Sequence, residues 1–246
     1  MTQDLSALLR GNAYPGRGIL LGSLYRPGAN AAVIAYFIMG RSENSRNRVF
    51  EETADGIRTK AFDESRMTDP SLIIYHPVRV VKQGVIVTNG DQTDTIRDYL
   101  KKGECYVCAL RTREYEPDRP NFTPRISGIL KRSGDYCLSI LKHQEEEGCA
   151  RQFFEYSARA GAGHFISTYQ GDGGPLPSFA GEPVKVDVTA PNAPALAEEL
   201  WSAMNEENKV SLFVQYIDLR SGLADTVIVN KHTGTVHTKG TEPLWR

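Results

Sequence analysis

Short apolar runs punctuated by glycine turns recur along this chain, and they constrain its fold more than any other feature. The runs cover residues 18–24, 32–39, 72–75, 78–81, 85–88, 126–130, 136–141, 151–157, 164–169, 210–219 and 225–229, and they are rich in Val, Ile, Phe and Tyr. Gln83-Gly84 and Ser133-Gly134-Asp135 separate neighbouring runs and read as hairpin turns. Helical spacing is confined to four places. These are Leu5, Leu8 and Leu9; residues 93–103; residues 105–115, stopped by Pro117 and Pro120; and residues 193–204, with Leu196, Leu200 and Met204 on one face. Strands in hairpin-linked sets, with helices in pairs rather than alternating, predict an α+β fold with layered, mostly antiparallel sheets. A doubly wound nucleotide fold is disfavoured, and neither G-x-G-x-x-G nor G-x-x-x-x-G-K occurs.

The 246 residues, 40% hydrophobic and 24% charged, suit a single domain over 1–246 with a proper core. Residues 171–183 are rich in Gly and Pro and read as an ordered loop, and no Gly/Ser linker or repeat divides the chain. A net charge of -1 provides no general field for a nucleic acid backbone. The longest apolar run, residues 31–39, is far short of the ~20 residues that span a bilayer. Residues 1–10 lack the basic start and long apolar stretch of a signal peptide, so a cytoplasmic location is expected. In a reducing compartment Cys105, Cys108, Cys137 and Cys149 are expected free. Cys105 and Cys108 form a C-x-x-C, but no second such pair supplies a zinc set; packing is the plainer reading, and no metal is expected. The scattered histidines, the Glu145-Glu146-Glu147 turn, Trp201 and Trp245 read as structural or surface features, and a homo-oligomer is left open.

Polar residues gather in three blocks. Gly40-Arg41-Ser42-Glu43-Asn44-Ser45-Arg46-Asn47-Arg48 follows the 32–39 run, and its guanidinium forks could grip a phosphate or carboxylate or simply be a solvated turn. Asn89-Gly90-Asp91-Gln92-Thr93-Asp94-Thr95 joins a strand to a helix start; small polar residues there cap free N–H groups or face a polar ligand. Residues 113–118 and 121–125 mix carboxylates with arginines, as a surface ion-pair cluster or as an acid/base in a cleft.

At these residues the chain resembles a known family. Tyr14-Pro15-Gly16-Arg17-Gly18, residues 33–39, 40–48 and 89–95, Asn121-Phe122-Thr123-Pro124-Arg125-Ile126, residues 163–169 and Pro175-Leu176-Pro177-Ser178-Phe179 are similar to the inosine monophosphate (IMP) cyclohydrolases of the archaeal type and their bacterial relatives. The resemblance covers roughly residues 11–186. It implies a four-layered αββα sandwich like that of the N-terminal-nucleophile hydrolases, without their terminal nucleophile. It also implies the closing reaction of purine synthesis, in which 5-formamidoimidazole-4-carboxamide ribotide loses water to give IMP.

That reaction needs a near-attack rotamer, donors aimed at the formyl oxygen, a group that moves protons, and cations for the 5′-phosphate. No cofactor is called for. The resemblance implies Arg46, Tyr75 and Glu116 as the catalytic group, with Arg46 and Tyr75 polarising the formyl oxygen and Glu116 moving protons; Glu114 competes for the last role. It further implies Arg17, Arg41 and Arg125 for phosphate and base, and Asn44, Asn89, Gly90, Asp91, Thr93, Asp94 and Thr123 for the rest of the phosphorylated imidazole. An amidohydrolase of the same fold and a nucleotide-binding module without catalysis are the rival expectations.

Overall fold

The computed structural model describes residues 2–26, 29–67, 70, 72–146 and 148–245. Its elements run in the order α1 (Leu5–Arg10), β1 (Arg17–Arg26), β2 (Ala29–Met39), α2 (Glu43–Arg46), β3 (Arg48–Thr53), β4 (Gly56–Ala61), β5 (Val78–Val81), β6 (Gly84–Thr88), α3 (Gln92–Lys101) and α4 (Tyr106–Arg111). They continue as β7 (Arg125–Lys131), β8 (Tyr136–Gln144), β9 (Gly148–Tyr156), β10 (Ala162–Ser167), β11 (Val184–Asp187), α5 (Ala193–Ala203), β12 (Lys209–Asp218), β13 (Ala224–Asn230) and β14 (Gly234–Lys239), with a single 3-10 turn over Glu64–Arg66.

The strands form two seven-stranded sheets. The first has the order β11-β10-β1-β2-β12-β13-β14 and the second runs β3 to β9 in sequence. Every named strand pairs antiparallel with its neighbour. Alternate residues of each strand go to opposite faces. Ile19, Leu21, Ile34, Tyr36 and Ile38 therefore pack against Val85, Val87, Ile126, Leu138 and Ile140 between the sheets. Their neighbours Leu20, Val33, Ala35, Phe37 and Met39 face outward and are covered by Leu5 and Leu9 of α1 and by Leu196, Ala197 and Leu200 of α5. On the far side Ile86, Ile129 and Leu141 meet Ile96 and Leu100 of α3 and Ala109 and Leu110 of α4. Burial on both faces explains why the central strands read as continuous apolar runs rather than alternating ones.

The elements differ from expectation where local polarity hid or mimicked a strand. Residues 72–75 are not a strand: Ile73 and Ile74 both donate to the Pro70 carbonyl, which makes a turn. Thr59 then clamps Tyr75: its N–H donates to the Tyr75 carbonyl at 2.9 Å, and the Tyr75 N–H donates to the Thr59 hydroxyl at 2.9 Å. β3 and β4 escape a sequence reading because charged residues interrupt their apolar ones, as suits an outer hairpin with one solvated face; β14, exposed along its length, and the short edge strand β11 escape it likewise. The helix expected over 105–115 is only the six residues of α4. Beyond it the Arg151 guanidinium bonds the Arg113 carbonyl and the Glu116 N–H bonds the Thr123 carbonyl, partners that a continuing helix would forgo. The turn expected at Glu145-Glu146-Glu147 is exposed at Glu145 and Glu146, and Glu147 lies outside the described residues.

No helix of the described residues is long and apolar enough to cross a membrane. Leu138 is fully buried between the sheets, whereas Val236 on β14 is 53% exposed. Leu138→Ala should cost about 2–5 kcal/mol in urea unfolding, and Val236→Ala under about 0.5 kcal/mol. Equal losses would contradict the layer assignment.

Candidate active site

One end of the sandwich brings together the first residues of strands from both sheets. Arg17 opens β1, Arg48 opens β3 and Arg125 opens β7, and all three are buried. The turn before β1 makes this possible. Gly16 sits at φ 76°, and a Cβ there would lie 2.3 Å from the Thr168 hydroxyl and 2.6 Å from the Tyr169 ring, so only glycine fits. Thr168 then locks the strand start, its Oγ1 accepting the Arg17 N–H at 3.1 Å.

The cleft at this end has a volume of about 400 Å³. Arg17, Arg41, Asn44, Glu116, Thr123 and Tyr169 are among its walls. Its charges are unevenly matched. The fully buried Arg48 donates through Nε to the Ser45 carbonyl at 2.8 Å and through Nη2 to the Met39 carbonyl at 3.3 Å, while its Nη1 is buried with no partner. The Nε atoms of Arg17 and Arg125 and the Oδ1 of Asn44 are likewise buried without partners. Among the described residues, neither Arg17 nor Arg48 has a carboxylate within ion-pair distance. Burial lowers the Arg48 pKa, and repulsion from Arg17 lowers it further. Burial opposes the charge on Arg17 as well, but Tyr14, Tyr75, Glu116 and Tyr169 around it raise its pKa on balance.

Glu116 is the carboxyl within this field. It is 3% exposed, and its nearest cation is Arg125, with Nη1 at 3.9 Å from Oε1. Burial pushes its pKa up to about 7, against the pull of Arg17, Arg125 and Arg48. Gly90 makes room for the approach: a Cβ there would fall 2.6 Å from Arg125 Nη1 and 3.3 Å from Glu116 Oε1. Behind the cleft the Tyr75 hydroxyl is 2.8 Å from that of Tyr36, either serving as donor. Burial, then the neighbouring Tyr75, holds the Tyr36 phenol well above its ordinary range.

A second polar chain supports the wall. Asp118 accepts from the Thr123 N–H at 2.6 Å and from its hydroxyl, and Thr123 Oγ1 lies 2.5 Å from the Tyr169 hydroxyl. Phe122, between them, sits at φ 43°, a left-handed conformation that costs on the order of 1–3 kcal/mol and concentrates at functional sites. Its ring stacks on His143 and meets Tyr115 edge-on.

The structure gathers some of the expected residues and disperses others. Arg17, Arg41, Asn44, Glu116 and Thr123 line the cleft, with Tyr75 and Arg125 against it. Arg46 does not join them: it is exposed on the one-turn α2, and its Nε and Nη2 donate to the Gly40 carbonyl and to Asn208. Glu114 is exposed and pairs with Arg151 at 3.7 Å. Asn89 is a buried strut holding Pro124 and Ile126, and Thr93 bonds Thr88 and the Gly90 carbonyl. Asp94 pairs with Arg79 and Arg97. Asp91, at the helix start, makes no capping bond; its carboxylate holds Arg113 and Arg125 instead. Arg48, Tyr36, Tyr14, Tyr169 and Asp118 received no role from the sequence. For Arg48 the missing signal was β3, whose first three residues, Arg48 to Phe50, are buried, whereas Arg46 on the helical turn before it is exposed.

Sequence comparison adds an independent line. The family model described as IMP cyclohydrolase-like protein matches residues 14–222. The chain is 26% identical over 193 residues to the IMP cyclohydrolase of Methanosphaera stadtmanae, covering 77% of this chain and 85% of that protein. It is 31% identical over 160 residues to that of Methanopyrus kandleri, covering 63% and 75%. It is 26% identical over 161 residues to that of Methanococcus aeolicus, covering 64% and 74%.

The raised carboxyl makes a prediction about stability. A native pKa of about 7 against an ordinary 4.5 means that the folded protein holds the Glu116 proton where the unfolded chain has released it. The stability so gained is complete below pH 4.5 and is lost as pH rises through 7. Glu116→Gln mimics the neutral form, so its stability relative to the parent should improve by about 3 kcal/mol between pH 4.5 and pH 8 in denaturant unfolding. A difference independent of pH would contradict this environment for Glu116.

Proposed function

The chain belongs to the IMP cyclohydrolase-like family, and from that membership we propose that the cleft lined by Arg17 and Glu116, with the fully buried Arg48 behind its wall, is where it closes the purine ring of 5-formamidoimidazole-4-carboxamide ribotide to give IMP. One observation carries the assignment: two buried guanidiniums with unpartnered N–H groups flank a buried carboxyl whose pKa is about 7. Such a site is short of negative charge and has a proton carrier balanced near neutrality.

The chemistry follows from these groups. The carboxamide nitrogen attacks the formyl carbon, a C–N bond forms, and the carbonyl electron pair moves onto the formyl oxygen. Arg48 Nη1 and Arg17 Nε are the free donors suited to that oxyanion, and a donor set in place beforehand is worth about 10²–10³ in rate. Tyr75, held by Tyr36, adds a hydroxyl to the same side. Glu116 as carboxylate takes a proton from the carboxamide nitrogen and as acid returns one to the departing oxygen. Glu116 then takes the proton of the formamido nitrogen and passes it to the new hydroxyl, which leaves as water while the C=N bond forms, so the carboxyl ends as it began. Arg41, whose guanidinium lies 4.9 Å above the Tyr14 ring, is placed with Ser42 and Asn44 at the mouth to meet the ribose phosphate.

In this reading Arg48 takes the role that the resemblance gave Arg46, because Arg46 spends its donors on Gly40 and Asn208 outside the cleft. The helix-sheet-sheet-helix packing supports reading the fold as similar to the N-terminal-nucleophile hydrolases, with the reacting groups internal to the chain. A cytoplasmic location accords with the free cysteines and with a small-molecule substrate.

An ultraviolet assay of ring closure tests the assignment. Glu116→Gln and Arg48→Lys should each lower kcat about 10²-fold or more with an unchanged near-ultraviolet circular dichroism spectrum, while Arg46→Ala should stay within about threefold. Normal turnover by Arg48→Lys alongside a collapse in Arg46→Ala would reverse the assignment.

A further inference from the structure

Away from the cleft, the C-x-x-C of the chain takes a defined geometry. Cys105 is the residue before α4, with extended backbone, and its Sγ accepts the Cys108 N–H at 3.1 Å. Cys108 is one turn further on, so the two side chains share a face of the helix start. Cys105 is exposed and Cys108 partly exposed, whereas Cys137 is buried. The buried face of α4, Tyr106, Ala109 and Leu110, is anchored in the outer core, which fixes the two thiols in place. No third His, Cys, Asp or Glu gathers with them among the described residues.

We propose that Cys105 and Cys108 form a redox-active dithiol, in which exposed Cys105 attacks small disulfides and Cys108 resolves the mixed disulfide. The geometry supplies both roles. Cys105 Sγ is open to solvent on one side and takes hydrogen bonds from the helix start on the other, which favours its thiolate. Bonds from the Cys108 thiol, the Cys108 N–H and the Val107 N–H hold the Cys105 thiol below its usual range, and the same thiol contact pushes Cys108 up.

The exchange balances without any further reagent. The Cys105 thiolate attacks a disulfide R–S–S–R, forming a Cys105–S–S–R bond and releasing one thiolate. Cys108 loses its proton to solvent and attacks Cys105 Sγ, forming the Cys105–Cys108 bond and releasing the second. The dithiol is oxidised by two electrons and the small disulfide is reduced to two thiols.

Glutathione disulfide is a direct probe. The protein is incubated with it, quenched with iodoacetamide under denaturing conditions and digested with trypsin. Both cysteines fall in one peptide, residues 103–111. It should appear two hydrogens light and unalkylated, with Cys137 and Cys149 alkylated. Cys108→Ser should accumulate a glutathione adduct on Cys105, and Cys105→Ser should acquire one on Cys108 at least tenfold more slowly. Adducts on the parent protein without an internal bond, or equal rates for the two variants, would overturn the proposal.

Discussion

Two buried arginines without a carboxylate partner set the terms for the rest of this structure. Removing a guanidinium from water is costly unless its donors are used. Arg48 spends two of its donors on the Ser45 and Met39 carbonyls, and one more points at nothing. Arg17 lies close enough to depress the Arg48 pKa, so the cations also repel each other. A chain selected for stability alone would place a carboxylate between them. Here the nearest candidate, Glu116, is itself so desolvated that its pKa reaches about 7, and it is only part-time an anion. In the proposed reaction the ribotide brings negative charge of its own to this arrangement and develops more as the ring closes.

The fold keeps this strained set in place through its rigidity. Arg17, Arg48 and Arg125 each open a strand, and each strand is tied into a seven-stranded sheet. The sheets are locked face to face by Ile19, Ile34, Ile38, Val85, Val87 and Ile126, all fully buried. The guanidiniums cannot swing out to water without disturbing that layer. Gly16 and Gly90 remove the Cβ atoms that would otherwise keep Arg17 from its turn and Arg125 from Glu116. Asp118, Thr123 and Tyr169 brace the opposite wall.

Much of this was legible in the sequence, for identifiable reasons. Hairpin turns at Gln83-Gly84 and Ser133-Gly134-Asp135 announced antiparallel pairing, and the structure has it at every named strand. Period-3.6 apolar residues located α1, α3 and α5. The misses share a cause, namely that outer strands carry charge on their solvated faces. With β3 unread, Arg48 looked like one more residue of a polar loop beside Arg46, although only Arg48 of the two is buried. Polar groups at a helix start, such as Asp91 and Thr93, are ambiguous in sequence between capping, bracing and binding. In the fold Asp91 holds Arg113 and Arg125, whereas Thr93 holds Thr88 and Gly90. No sequence pattern marks Tyr36 as the partner of Tyr75, since 39 residues and two different layers separate them.

A crystal structure of the chain with IMP bound tests whether the unpartnered donors of Arg17 and Arg48 mark where the nucleotide ring is formed. The base is expected against Glu116, with Arg48 Nη1 and Arg17 Nε bonded to it or to a water in the place of the departed formyl oxygen, and the phosphate toward Arg41 and Ser42. The nucleotide seated instead in the larger cavity of about 690 Å³ against α1, lined by Gln3, Leu8, Phe165 and Gln170, would contradict it.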